Sequence, residues 1–311
     1  MRLRATLLRQ IREFFYAQEV MEVETPVLGK FVGTDPYLEY FTTHFSSGKK
    51  QFYMQSSPEF AMKRLLAAGS GSIYQIGKAF RSGESGRHHN PEFTILEWYR
   101  VGFNLQQLMD DIELLFSQLL PIASFAAPVE RISYLDIFAK HTGLNALVFD
   151  QLKYQSVAVS HGLPEAQRLC ATDHATWLDF LFSHIVQQQI AGQGVHMVYD
   201  YPACLPSLAR LKPDNVLIVE RVEVFIGGVE IGNGFFELAD EYEQSMRFTE
   251  DMKVRHANGS VRIDKDQRFL AALQHGLPDC AGVAIGIDRL LMIISQQGHI
   301  NDVLAFPIEN A

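Results

Sequence analysis

Residues 80–100 read FRSGESGRHHNPEFTILEWYR. Two apolar stretches flank an eleven-residue run from Ser82 to Glu92, dense in Gly, His, Arg and Asn. A run of that composition interrupts a strand rather than continuing it. The pattern is therefore strand–loop–strand, with strands over 73–81 (IYQIGKAFR) and 93–100 (FTILEWYR). Arg81 stands at the lip of the loop, and the chain returns carrying Glu97 and Tyr99. Side chains alternate across a strand. Phe93, Ile95, Glu97 and Tyr99 thus share one face, and Thr94, Leu96, Trp98 and Arg100 the other. On 73–81, Gln75, Gly77, Ala79 and Arg81 share a face that is nearly bare in the middle. A third strand, over 282–287, puts Gly282, Ala284 and Gly286 together. A sheet with one apolar face and a floor of Gly and Ala leaves room for a flat or bulky ligand. A helix packed close on that floor is the alternative for any one strand; three such strands, two of them flanked by arginines, favour the ligand.

Charged residues narrow its chemistry. Arg81 and Arg289 are planar forks suited to phosphate oxygens. Glu230 and Glu237 lie seven residues apart in VEIGNGFFEL, a spacing that strict alternation assigns to opposite faces. Gly232-Asn233-Gly234 between them can supply a bulge that brings both to one side. Two carboxylates with phosphate-holding arginines suggest magnesium and a nucleotide. A lone Glu is more often a solvated surface residue, but Glu230 sits in an otherwise apolar strand pair. GSIYQIGKAF has a superficial look of a phosphate-binding P-loop. Five residues separate Gly71 from Gly77 and Ala79 replaces the Ser or Thr, so it reads as a strand.

The chain has 311 residues, 47% of them hydrophobic, enough for a full core. Its net charge of -9 argues against a protein whose main task is gripping nucleic acid. Cys170, Cys204 and Cys280 are odd in number and far apart, which disfavours a disulfide framework or zinc site and suits a reducing compartment. No stretch of about 20 apolar residues is present, so no membrane span is expected, and the basic N-terminus lacks the apolar core of a signal peptide. Helices are expected over 3–18, over 57–68 with Ser57 as N-cap and Pro58 in the first turn, over 104–120 and over 240–256, with a mostly helical stretch over 121–192. Residues 195–203 read as a strand and loop, 216–238 as a strand pair turning at Gly227 and Gly228, and 282–295 as a strand running into a helix. Strands without regular helical crossovers predict an antiparallel sheet with helices packed on it.

Three segments, in order, resemble the catalytic core of class II aminoacyl-tRNA synthetases. VETPVL with Pro26 is similar to motif 1, which builds that family's homodimer interface. FRSGESGRHHNPEFTILEWYR is similar to the motif 2 hairpin, and GVAIGIDRLLM to motif 3. HNPEFT, LEWY and EIGNGFFEL are closest to lysyl-tRNA synthetase. SSPEFAMKRLLAAG, HHNPEFTILEWYR, YDYPACLPSLAR and LPDCAGVAIGIDR are similar throughout to lysyl-tRNA synthetase paralogues that activate (R)-β-lysine with ATP and ligate it to a lysine of elongation factor P. The resemblance covers nearly all of the chain. It implies an α+β fold, a class II synthetase-like antiparallel β-sheet flanked by helices. It also implies a single catalytic domain over 1–311 with no anticodon-binding domain, a homodimer, a cytoplasmic location and no stable tRNA binding. A truncated enzyme charging tRNA, a catalytically silent regulatory paralogue and an ammonia-using ligase are the readings weighed against it.

The same resemblance assigns roles. Arg81 would hold the α-phosphate of ATP and Arg289 the other end of the bent triphosphate. Ser82, Gly83, Glu84, Asn90, Phe93, Glu230, Ile231 and Gly286 would complete the ATP site, with Phe93 stacking on adenine. Glu230 and Glu237 would hold Mg2+, and Glu237 is alternatively a ligand of the substrate amine. Ser57, Pro58 and Glu59 match the substrate-binding stretch, and Glu97 and Tyr99 would meet the side-chain ammonium. The family pattern has Glu two residues after the motif 2 arginine; here Gly83 stands there and Glu84 follows, leaving Glu84 or the Gly83 main chain to read adenine. Ala284 replaces the Gly of lysyl-tRNA synthetases and is expected to disfavour an α-amino group. His88 and His89 are expected to offset triphosphate charge or to lie in solvent.

Overall fold

The computed structural model of the protein describes residues 1–46, 48, 50–119, 129–192, 194–205 and 207–311. In chain order it runs α1 (Arg2–Ala17), β1 (Met21–Glu22), β2 (Leu28–Gly29), β3 (Thr42–His44), β4 (Gln51–Met54), α2 (Glu59–Ala67), β5 (Ile73–Phe80) and β6 (Glu92–Val101). Next come α3 (Leu105–Leu119), β7 (Glu130–Ser133), α4 (Tyr134–Thr142), α5 (Gln151–Ser160), α6 (Ala166–Cys170), α7 (His174–Leu181), a π turn (Phe182–Val186) and α8 (Gln187–Gln189). The chain continues through β8 (Val195–Pro202), β9 (Leu211–Lys212), β10 (Asn215–Ile226), β11 (Val229–Phe236), α9 (Glu241–Ala257), α10 (Gln267–Gly276), β12 (Cys280–Gly286) and α11 (Ile287–Ile294). The expected helix over 104–120 is α3. Residues 120–128, which include the start of the stretch read as helical over 121–192, lie outside the described residues.

Two compact units emerge, Met1–Asn104 with Leu238–Ala311, and Leu105–Glu237. In the first, the strand order is β1-β5-β6-β12, beside a small β2-β4-β3 sheet. The register across the three long strands matches Tyr74 with Trp98 and Trp98 with Val283, and Ile76 with Leu96 and Leu96 with Ile285. Directly opposed residues share a face, so these form the apolar side. Leu7, Ile11, Phe14 and Phe15 recur at helical spacing along α1 and are buried. Phe15 stacks on Tyr74 at 4.3 Å and meets Trp98 edge-on at 5.4 Å. Burying one such aromatic contributes about 1.5–3 kcal/mol. Leu3, in the first turn, is exposed instead. The opposite face carries, row by row, Ile73–Tyr99–Gly282, Gln75–Glu97–Ala284, Gly77–Ile95–Gly286 and Ala79–Phe93. That is the floor expected from alternation, now in register.

In the second unit the order is β11-β10-β8-β7, with β9 on β10. Gly227 and Gly228, at φ +57° and +79°, make the turn between β10 and β11. Helices α4 to α8 bury Tyr134, Phe138, Trp177, Leu178 and Leu181 with Val198 and Tyr201 of β8, so the described part of 121–192 is packing. One expectation is corrected: the strands are mixed, not purely antiparallel. β1 runs parallel to β5, and β7 parallel to β8. Parallel neighbours need a long crossover connection, and both pairs have one: α2 and three strands for the first, α4 to α8 for the second. The α+β class stands. Among the described residues no helix is long and apolar enough to cross a membrane.

Candidate active site

The floor of the first unit ends in a buried carboxylate. Glu97 is 2% exposed. Ser57 Oγ donates to its Oε2 at 2.8 Å and Tyr99 OH to its Oε1 at 2.7 Å. Burial, and then the negative charge of Glu59, push its carboxyl up to about 7, against the pull of the Tyr99 and Ser57 hydrogen bonds and of Lys63. Glu59 is itself held by Lys63 Nζ at 2.6 Å, one helical turn along α2. The Lys63 side chain is wholly buried. The sequence reading did not single out Lys63; its signal is the i,i+4 spacing from Glu59. The helix start also differs from expectation. Pro58 is the cap residue of α2, while Ser57 Oγ accepts from Glu59 N at 3.0 Å and spends its proton on Glu97. Ser57, Pro58, Glu59, Glu97 and Tyr99 thus form one connected set at one end of the floor, with Ala284 beside Glu97 in the same row.

Arg81 opens the other end. Its N–H donates to Pro91 O at 2.9 Å, closing the neck of the loop. Its guanidinium lies 5.2 Å from the Phe93 ring centroid and 3.6 Å from Glu84 Oε1. Arg81 Nε is buried and donates to none of the described residues. A buried donor of that kind is suited to a phosphate oxygen. Ser82 N pairs with Glu39 O at 2.9 Å. Gly83 takes φ +80°, a left-handed conformation that Glu adopts only with strain. The change from the family pattern is therefore matched by the loop's backbone. Asn90 is buried, its Nδ2 donating to Glu92 O at 2.6 Å and its Oδ1 accepting from Ile308 N at 3.1 Å. Its side chain braces the loop.

Arg289 follows Gly286 at the start of α11. It donates through Nε to His88 O at 3.2 Å and meets His89 Nε2 at 2.5 Å. Gly86 and His89 exchange backbone hydrogen bonds, and Arg87 O accepts from Ile300 N at 2.9 Å. The loop tip thus rests on α11 and the segment after it. His88 is held below the ordinary imidazole range by burial first, then by Arg87 and Arg289. His88 is part-buried and His89 is exposed. Asp288, 1% exposed, accepts Thr94 N at 2.7 Å and pairs with Arg4 of α1. This tie between Arg289's neighbour and Phe93's neighbour was absent from the sequence reading.

In the second unit, the register of β10 and β11 slips between Val224 and Phe225, leaving Ile231 as the extra residue. The bulge lies at Glu230–Gly232, at the near edge of the Gly-Asn-Gly run. Before it Glu223 opposes Asn233, and after it Phe225 opposes Glu230. Glu230 therefore falls on the face of Asn233 and, continuing the alternation, of Glu237. Ile231 and Glu237 are buried. Arg221 donates to Asn233 Oδ1 at 3.2 Å and pairs with Glu223. Burial pushes the Glu223 carboxyl up to about 7, with Arg221 opposing and Glu230 adding to the rise. Among the described residues no cluster of three or more metal-ligating side chains occurs. Two carboxylates on one face are oxygen donors that would suit Mg2+.

Arginines beside a floor of small residues suit an enzyme that activates its substrate with a nucleotide. The sequence profile described as "tRNA synthetases class II (D, K and N)" matches residues 1–310. The chain is 44% identical over 313 residues to a Pseudoalteromonas translucida protein named elongation factor P–(R)-β-lysine ligase, covering 99% of this chain and 95% of that one. Proteins of the same name from Vibrio cholerae and Hamiltonella defensa are 43% and 41% identical over 312 residues, covering 99% of this chain and 95% and 94% of theirs. Within the class II synthetases, the chain belongs to the elongation factor P–(R)-β-lysine ligase family.

Proposed function

We propose that this chain activates (R)-β-lysine with ATP and transfers it to a lysine of elongation factor P. The observation that carries the reading is Glu97: a buried carboxylate, braced by Ser57 and Tyr99, in one row with Ala284. A carboxylate desolvated to that degree needs a cation, and a lysine-like ammonium is the fitting one. The substrate carboxylate attacks the α-phosphorus of ATP and diphosphate leaves. Arg81, through its buried Nε, takes the α-phosphate oxygens, and Phe93 stacks on adenine. Arg289 holds the far phosphates. Gly83 leaves its main chain, with Glu84 beside it, to read the adenine amino group; Gly286 and Ile231 line the nucleotide. Glu230 and Glu237 would hold Mg2+, which when bound neutralises phosphate charge. Little acid–base machinery is needed, because positioning and charge stabilisation carry such a displacement. The neutral ε-amine of the elongation factor lysine then attacks the acyl carbonyl, and AMP leaves.

Ala284 adds one methyl group beside Glu97, worth about 1–3 kcal/mol of discrimination in a snug pocket, and we assign it the rejection of α-lysine. A homodimer through the first unit is supported by Tyr16, Met21, Val27 and Leu28, apolar and exposed on and after α1. The net charge of -9 supports a protein acceptor over stable tRNA binding. Three free thiols support a reducing compartment, and we assign the activity to the cytoplasm. ATP–diphosphate exchange with (R)-β-lysine and α-lysine, followed by mass measurement of elongation factor P, tests the reading. Exchange favouring (R)-β-lysine and a β-lysyl mass increase are expected, and Ala284→Gly moves the preference toward α-lysine. Preference for α-lysine with charging of tRNA overturns the proposal.

A further inference from the structure

We propose that Gln75 is a further substrate-reading residue, whose side-chain carbonyl accepts an N–H from the second amino group of a diamino acid. The inference rests on the function proposed above. Gln75 opposes Glu97 across β5 and β6, so both stand on the floor face. Gln75 is 8% exposed, and its Oε1 is buried and accepts from none of the described residues. Leaving a buried amide oxygen without a donor is costly. It is the condition of an acceptor built for something that arrives later.

The amide also has a defined location. A Cβ built on Gly77 would come within 2.9 Å of Gln75 Nε2 and 3.7 Å of its Cδ and Cγ. The side chain therefore lies folded along β5, over Gly77, toward Arg81. Along the floor the order is Glu97 and Tyr99, then the Gln75 amide above Gly77, then Phe93 and Arg81. A diamino acid laid on that floor has its side-chain ammonium at Glu97 and its carboxylate toward Arg81. Its second amine then falls over Gly77, where the Gln75 oxygen waits. Lysine-like substrates differ from a plain amino-alkanoate by that amine alone. Glu97 cannot read it, because both Glu97 oxygens are committed to Ser57, Tyr99 and the first ammonium. A neutral oxygen accepting from a cationic N–H makes a charge-assisted bond without adding to the buried charge of Glu59 and Glu97.

The test compares Gln75→Met with the unaltered chain on two ligands, (R)-β-lysine and 6-aminohexanoate, which keeps the carboxylate and terminal ammonium and lacks the second amine. Affinity is read by calorimetry without ATP, and KM by ATP–diphosphate exchange. The variant is expected to weaken (R)-β-lysine about 10- to 100-fold. 6-Aminohexanoate should change less than about 2-fold, and the KM for ATP not at all. Equal loss on both ligands, or loss on neither, overturns the role of Gln75 and leaves the proposed function standing. If the unaltered chain binds neither ligand, the proposed function itself fails. Gly77→Ala keeps the amide but pushes it aside, a shift that the end of a flexible side chain accommodates cheaply. Should Gln75→Met not fold, Gly77→Ala carries the test by the same criterion: loss confined to the diamino ligand supports the inference, and any other pattern overturns it.

Discussion

The two ends of the floor in the first unit are built on opposite plans. At the end proposed for the ammonium, Glu97 is buried and bonded to Ser57 and Tyr99, and Glu59 to Lys63, with no ligand present. At the end proposed for phosphate, the Arg81 side chain keeps 30% of its surface exposed, and Arg289 rests on the loop tip through a carbonyl and an imidazole. The first end is preorganised, which suits the selective role proposed for it. The second is more open to solvent, which suits the triphosphate proposed for it.

Losing Arg81 should separate the ends most sharply. Arg81→Ala is expected to lower ATP–diphosphate exchange about 10²- to 10³-fold while (R)-β-lysine affinity by calorimetry stays within about 2-fold. A parallel collapse of amino-acid binding would show the ends to be one unit. Glu97→Gln comes next, raising the KM for (R)-β-lysine about 10- to 100-fold with the KM for ATP unmoved.

Glu97 also gives the comparison a pH axis. Its carboxyl is raised from 4.5 to about 7 in the folded protein, so below that pH it is largely protonated and cannot pair with an ammonium. The KM for (R)-β-lysine should therefore fall as pH rises through about 7, and Glu97→Gln should flatten the curve. The stability sign runs the other way. A raised pKa contributes stability below the unfolded value that is lost as pH rises through the folded one. At pH 8 the free Glu97→Gln protein should melt at or above the unaltered chain; a clearly lower Tm would mean that the ionised carboxylate is a net structural asset.

Smaller effects belong to the loop. His89→Ala should raise the KM for ATP about 2- to 10-fold and leave (R)-β-lysine untouched. Gly83→Ala, forced to φ +80°, should destabilise by about 1 kcal/mol, read by chemical denaturation, with little change in exchange.

Alternation made the floor legible in the sequence, because Gly77, Glu97, Ala284 and Gly286 need only a period of two to be assigned a face. The bulge between Glu230 and Glu237 was legible in kind, since glycines flag it, but its residue, Ile231, depends on pairing with β10. The parallel pairings of β1 and β7 were not legible, because a two- or four-residue strand carries no signature of its neighbour. Lys63 was missed because a lysine in a helix ordinarily reads as solvated. The contacts of Arg289 with His88 and His89 were not legible either, because the loop's docking on α11 is a tertiary event.

Asp288 connects three distant pieces of chain: it grips Arg4 near the start of α1, receives Thr94 N on β6, and stands one residue before Arg289. Phe93, proposed to stack on adenine, precedes Thr94, and Arg289, proposed to hold the far phosphates, follows Asp288, so both neighbour the contacts of one carboxylate. Helix α1 therefore serves as a tether as well as a core element, tied through one side chain to the segments that carry Phe93 and Arg289. A reporter on Arg4 would register nucleotide capture from the opposite face of the sheet.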